Sequence, residues 1–182
     1  MKRLILFLAE GFEEIEALTV VDVLRRTGLV CHICGTGEEE LIKGAHNIQV
    51  KSDVNIDCIK VDSYDGIILP GGMPGAENLK EDYRVIEILR KFNEEGKIIA
   101  AICAAPIVLQ EASIITGKHV TSYPSFEEEF KNSNYLEDPV VQEDNIITSR
   151  GPATVFEFVF KILENFITTK EIQQLKRAML FK

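Results

Sequence analysis

The chain has 182 residues, 46% of them hydrophobic and 27% charged, enough to bury one sizeable core and too apolar for a disordered segment. Its formal net charge of −9 argues against a nucleic-acid partner, because phosphate binding needs a basic face. Charges interrupt every apolar run well short of a membrane span, and four cysteines in this length make no disulfide framework.

The opening MKRLILFLA has the basic-then-apolar form of a short signal peptide, but acidic residues follow by Glu16 without a small-residue cleavage site. It reads instead as a buried strand over 3–9, and the protein as cytoplasmic. A helix is expected over 14–27, with Ile15, Leu18, Val21 and Leu24 inward and Gly28 as its stop. A strand follows at 29–34, then a glycine-acid turn at 35–40 and an edge hairpin at 41–51, turning through Lys43, Gly44, Ala45 and His46. Residues 64–69 form another buried strand, which ends in Pro70-Gly71-Gly72-Met73-Pro74-Gly75. Asp82 caps a helix over 83–95, with Val85, Ile86, Leu89 and Phe92 inward and Gly96 closing it. The continuous apolar run 98–102 suits a strand buried on both faces.

After Gly117 the segments shorten. A strand is expected at 119–122, a short helix opened by a capping box at 125–128, and a hairpin of 140–143 with 145–149. A helix over 153–165 carries Phe156, Val159, Phe160 and Leu163 inward, and a second capping box at 168–171 opens a last helix to about 180. Strands alternating with helices predict an α/β fold: a flavodoxin-like three-layer sandwich with a mostly parallel sheet, helices on both faces, and one domain over 1–182.

In such sheets, sites form beyond the carboxyl ends of the strands, at a switch in strand order. Three loops there carry suggestive residues: 9–16, 70–75 and Cys103. Cys103 follows its strand directly and precedes AAPIVLQEA, a helix with Pro106 in the first turn, where a missing N–H costs nothing. This is a nucleophile elbow with a thiol at the corner, where the helix dipole would lower the thiol pKa; the alternative is a small buried residue closing a strand. PGGMPG fits neither a dinucleotide nor a Walker loop. Its glycines either serve the turn alone or aim the Gly72 amide, together with that of Ala104, at an oxyanion.

Glu13 and Glu16 lie one helical turn apart and share a face, with Glu14 pointing elsewhere; otherwise this is an acidic, solvated first turn. A buried carboxyl beside Cys103 would have a raised pKa and could donate a hydrogen bond to a thiolate. Cys31-His32-Ile33-Cys34 has C-x-x-C spacing, but strand residues three apart face opposite sides and no second pair completes a zinc site, so no metal is expected. Only His32, His46 and His119 are present, none placed as a base for Cys103, which argues against a Cys–His dyad.

LAEGFEEIEA with DVLRRTG, YDGIILPGGMPGAENL, AAICAAP and TSRGPATVFEF run in this order across nearly the whole chain. Together they resemble the ThiJ/PfpI superfamily (class I glutamine amidotransferase-like), nearest its DJ-one/YajL-like branch. The resemblance implies a homodimer, a reactive Cys103, and Glu16 as the protonated carboxyl beside it. It places Gly71, Gly72, Ala104 and Tyr123 in the oxyanion and substrate-binding set, and Glu13, Arg26, His46 and Arg150 near the dimer and anion site. It also implies cofactor-free glyoxalase or deglycase action on 2-oxoaldehydes such as methylglyoxal, or on early glycation adducts, with oxidative-stress protection. A redox sensor or chaperone using Cys103 is the alternative, and a PfpI-like peptidase a third.

Two positions depart from that pattern. Tyr123 stands where the branch places a histidine, and tyrosine is a poor base near neutral pH, so activity would rest on Cys103 and Glu16. His46 replaces an anion-binding arginine and would carry only partial charge, leaving Arg25, Arg26 and Arg150 to pair with Glu13 across subunits.

Overall fold

In the computed structural model, which describes residues 2–181, the apolar runs become the middle of a seven-stranded sheet. The chain runs β1 (Arg3–Leu8), α1 (Glu14–Arg26), β2 (Val30–Gly35), β3 (Leu41–Lys43), β4 (Gln49–Lys51), β5 (Val54–Asn55), β6 (Gly66–Leu69), α2 (Gly75–Glu81) and α3 (Tyr83–Glu94). It continues through β7 (Ile98–Ile102), α4 (Pro106–Glu111), β8 (His119–Val120), β9 (Asn134–Tyr135), β10 (Val140–Glu143), β11 (Ile146–Ser149), α5 (Val155–Leu163) and α6 (Thr169–Ala178). The sheet order is β10-β11-β7-β6-β1-β2-β5, parallel throughout except for the β10–β11 hairpin. Because the chain lays β2 on one side of β1 and then returns to lay β6 on the other, strand order switches at β1/β6, where such sheets leave a crevice.

Strand alternation divides the apolar side chains between the two faces. Leu4, Leu6 and Leu8 pack with residues of α1, α5 and α6, whereas Ile5 and Phe7 pack with residues of α2, α3 and α4. Cys31 and Cys34 fall in opposite layers, as residues three apart on a strand must. Asp82 accepts the Arg84 N–H at 2.9 Å and caps α3, whose Val85, Ile86, Leu89 and Phe92 are all buried. Thr168 and Glu171 close a reciprocal capping box on α6. No helix among the described residues is long and apolar enough to cross a membrane.

Several local expectations are corrected. Ile15 and Leu18 do not face the core: they are 56% and 38% exposed, and α1 buries Glu14, Glu16, Ala17, Val20, Val21, Val23 and Leu24. The helix is rotated because two of its carboxylates, not two aliphatic groups, are anchored inside. In α5 the same inversion turns Phe158 inward and leaves Phe156 partly exposed. The stretch 124–130 is a 3-10 segment entered at Tyr123 without a side-chain cap, so the expected box at Ser125 is not formed. The strand at 119–122 shrinks to β8, which pairs with the unanticipated β9, and α2 is a further helix in a stretch too short to display a period.

Candidate active site

β1, β6 and β7 end side by side, and the loops leaving them carry Glu16, Gly71 and Cys103. Cys103 adopts φ 64°, the left-handed region that costs a residue with a Cβ about 1–2 kcal/mol. Two backbone bonds hold it there: its N–H donates to the Ser149 carbonyl and its carbonyl accepts the Tyr123 N–H, each at 2.9 Å. Pro106 opens α4 just beyond, two residues later than the expected start at Ala104. The thiol is half-buried at the corner.

Glu16 is completely buried beneath it. Its Oε2 accepts the Gly71 N–H at 2.7 Å, while Oε1 is buried with no hydrogen-bond partner among the described residues. An orphaned carboxylate oxygen is costly, and a proton on it removes much of that cost. Gly71 must lack a side chain, because a Cβ would sit 2.6 Å from the Cys103 Cβ and 2.8 Å from Glu16 Oε2. The Gly71→Ala variant is therefore expected to lose about 1–3 kcal/mol of stability through overpacking, read by chemical denaturation, and to lose turnover with it. Gly71, expected in the oxyanion and substrate-binding set, lies at the site, and its amide donates to Glu16. The amides of Ala104 and Gly72 act on the Cys103 thiol, favouring its charged form.

The proton balance differs from the expectation of a low-pKa thiol. Burial pushes the Cys103 thiol up, and the charge and hydrogen bond of Glu16 add to the push, outweighing the Ala104 and Gly72 amides. The α4 dipole does not prevail: the helix has only six residues and begins three positions after the thiol. Burial likewise raises the Glu16 carboxyl to about 7, against hydrogen bonds from the Gly71 amide and Cys103, with the Glu13 charge adding to the rise. The Glu16 charge adds to the effect of burial, so protonating Glu16 releases that added part. The two groups thus titrate as one pair.

Glu14, which no sequence signal had singled out as an anchor, is buried and fastens the β3–β4 hairpin to α1. It accepts from His46 N–H at 2.7 Å, His46 Nδ1 at 2.8 Å and Ile48 N–H at 3.4 Å. Burial pushes Glu14 up, but the His46 side-chain and backbone bonds outweigh it and hold the carboxyl below its ordinary value. The Glu14 bond and the nearby Glu13 carboxylate raise His46, so His46 is more fully charged than expected, yet that charge is already paired within the chain. Glu13, Glu14 and His46 are the one group among the described residues that brings three potential metal ligands within 4.8 Å.

The arginines are also engaged. Arg26 pairs with Asp22 at 2.7 Å near the far end of α1, about 20 Å along the helix from Glu13. Arg25 bonds Asp53 and the Cys31 carbonyl, and Arg150 donates to the Glu137 carbonyl. Glu13 and His46 are thus brought together, while Arg26 and Arg150 are not joined to them within one chain. His32 pairs with Tyr64 and His119 with Glu143, so all three histidines have partners other than Cys103.

Comparison with known proteins identifies the family of this chain. The family model described as "DJ-1/PfpI family" matches residues 2–165. "Protein dj-1beta" of Drosophila melanogaster is 37% identical over 181 residues, covering 98% of this chain and 97% of its own. Its crystal structure superposes with a TM-score of 0.96 over 100% of both chains. The Caenorhabditis elegans protein named "Glutathione-independent glyoxalase DJR-1.2" is 39% identical over 163 residues, 88% of this chain and 86% of its own. An oxidized DJ-1 from Toxoplasma gondii, 31% identical, superposes with a TM-score of 0.95 over 100% of this chain and 99% of its own. With sequence, fold and elbow in agreement, this chain belongs to the DJ-1/PfpI family.

Proposed function

We propose that the protein is a cofactor-free, cysteine-dependent glyoxalase that converts 2-oxoaldehydes such as methylglyoxal into 2-hydroxy acids. The observation that carries this reading is the Cys103–Glu16 pair: a half-buried thiol on a strained elbow, against a fully buried carboxyl held by the Gly71 amide. The Cys103 sulfur adds to the aldehyde carbon, and the new C–S bond leaves a hemithioacetal oxyanion beside the Gly72 and Ala104 amides. Glu16 relays the proton that leaves C1 to C2, and the proton given up by the thiol ends on the C2 oxygen, so the ketone becomes an alcohol while C1 rises to the thioester level. Water then cleaves the C–S bond, releasing the hydroxy acid and the thiol. The redox change is internal to the substrate, so no external oxidant is needed.

The glyoxalase-named relative supports this reaction class. The same attack on an early glycation adduct would give deglycase activity. Following methylglyoxal and lactate by proton NMR with the purified, reduced protein tests the reading: lactate in excess of protein is expected, and consumption without lactate overturns it.

The half-buried thiol favours one further reading, a redox sensor in which Cys103 is oxidised and not turned over, with Glu16 donating to the oxidised sulfur. A cytoplasmic setting, where reductants regenerate thiols, suits both. A peptidase finds no support, since each histidine is tied to another partner.

A homodimer is also proposed, through the outward stripe of α1. Ile15 and Leu18 lie three residues apart on its exposed face, and Asp22 and Arg26 continue that face. Sedimentation velocity is expected to report a dimer for the wild type and a monomer for Leu18→Arg. A wild-type monomer at micromolar concentration would overturn it.

A further inference from the structure

The left-handed backbone of Cys103 disfavours any residue with a Cβ, and such a conformation persists only where the surroundings over-determine it. One of its two holding contacts is the Ser149 carbonyl, and Ser149 is itself held by a side-chain network that the reaction described above does not use.

Ser149 ends β11 and pairs with Ile102, so the bond from the Cys103 N–H to the Ser149 carbonyl carries the β7–β11 ladder one step into the elbow. The residue is completely buried. Its Oγ lies 2.8 Å from the Pro139 carbonyl and 2.7 Å from Thr154 Oγ1. Thr154 Oγ1 in turn lies 2.9 Å from the Gly151 carbonyl and accepts the Gly151 N–H at 3.2 Å. Each hydroxyl has one proton to give. The contact between the two oxygens takes one of them, and the other goes out to Pro139 or to Gly151. In either arrangement the two hydroxyls are joined and close the 149–154 loop across its base.

Neither hydroxyl is explained by a duty elsewhere. Thr154 stands at the N-cap of α5 but makes no side-chain bond to that helix, so its oxygen serves the loop instead. The Pro139 carbonyl also accepts the Arg150 N–H at 3.3 Å, so it has a partner without Ser149. What the pair does fix is the peptide unit on which the Cys103 N–H hangs.

We infer that Ser149 and Thr154 are positioning residues for Cys103: their paired hydroxyls fix the Ser149 carbonyl, and that carbonyl holds the thiol at the corner above Glu16. They act through the Cys103 N–H. The consequence for turnover rests on the carbonyl-enzyme reading, whereas the consequence for the thiol's placement does not.

The test uses three variants. Thr154→Val removes one hydroxyl at nearly constant shape, Ser149→Ala removes the other, and Thr154→Ser keeps a hydroxyl while losing the methyl group. Circular dichroism verifies folding. The S–H stretching band of Cys103 in the reduced protein, isolated by subtracting the infrared spectrum of Cys103→Ala, reports the hydrogen bond between the thiol and Glu16. The band is expected to shift and broaden in Thr154→Val and Ser149→Ala, and to keep its wild-type position in Thr154→Ser. A reacting group misplaced by 1 Å costs up to about 10²-fold in rate, so kcat/KM for methylglyoxal is expected to fall at least about tenfold in the first two variants and to stay within about twofold of wild type in the third.

A band unmoved in both folded variants overturns the inference. So does a band that moves equally in Thr154→Ser, which would assign the effect to packing of the methyl group. A band that moves while lactate production is undiminished leaves the positioning role standing and overturns the carbonyl-enzyme reading, because turnover would not depend on where Cys103 is placed. If the wild type makes no lactate, that reading fails on its own, and the S–H band alone decides the inference.

Discussion

Cys103→Ser is expected to reduce kcat/KM for methylglyoxal by a factor on the order of 10⁴ or more, because removal of a covalent nucleophile eliminates the step on which the others depend. Serine is nearly isosteric and inherits the same φ of 64°, along with the backbone bonds to Ser149 and Tyr123. Stability should therefore change by less than about 1 kcal/mol, or about 2–4 °C in melting temperature for a chain of this size. That separation is diagnostic. A collapse of both activity and stability would assign Cys103 a structural role, whereas retained lactate production would place the chemistry on another group.

Glu16→Gln is expected to lower kcat/KM by about 10²–10⁴-fold through loss of the proton relay, and to stabilise the protein at neutral and alkaline pH. The sign follows from linkage. The Glu16 carboxyl titrates at about 7 in the folded chain against an ordinary 4.5, so the folded state binds the proton more tightly. The stability this confers is fully present below pH 4.5 and is lost as pH rises through 7, amounting to about 3 kcal/mol. Glutamine keeps an oxygen to accept the Gly71 N–H but cannot ionise. Urea denaturation across pH should show the wild type losing stability between 4.5 and 7 relative to the variant. Parallel stability curves, or unimpaired turnover, would remove Glu16 from the relay.

The architecture was largely legible because its signals are local and redundant. The buried runs at Ile98–Ile102 and in β1 and the cap at Asp82 each point to the observed element. The α1 face was misread because a hydrophobic pattern treats Glu14 and Glu16 as solvent-facing, when both are buried on partners distant in sequence. Those partners, the Gly71 amide and the hairpin around His46, become neighbours only after β1, β6 and the hairpin are assembled.

The site shows the same division. Cys103, Gly72 and Ala104 were singled out by the elbow and the glycine turn and Glu16 by the family resemblance, and the structure places Glu16 and Gly71 against Cys103. The sense of the thiol's pKa was not legible, because the dipole argument uses only the residues that follow Cys103. Burial of the thiol, with the Glu16 carboxylate beneath it adding to the effect, reverses the balance, and both arise from residues far from Cys103 in the chain.

The claim that Cys103 and Glu16 work as one proton-sharing pair is tested most directly by titrating the Glu16 carboxyl in the reduced protein, using infrared difference spectra referenced to Glu16→Gln. A midpoint near 7 is expected, moving higher in Cys103→Ala, where the thiol's hydrogen bond no longer favours the carboxylate. A midpoint at the ordinary 4.5, or one indifferent to Cys103→Ala, would contradict the account.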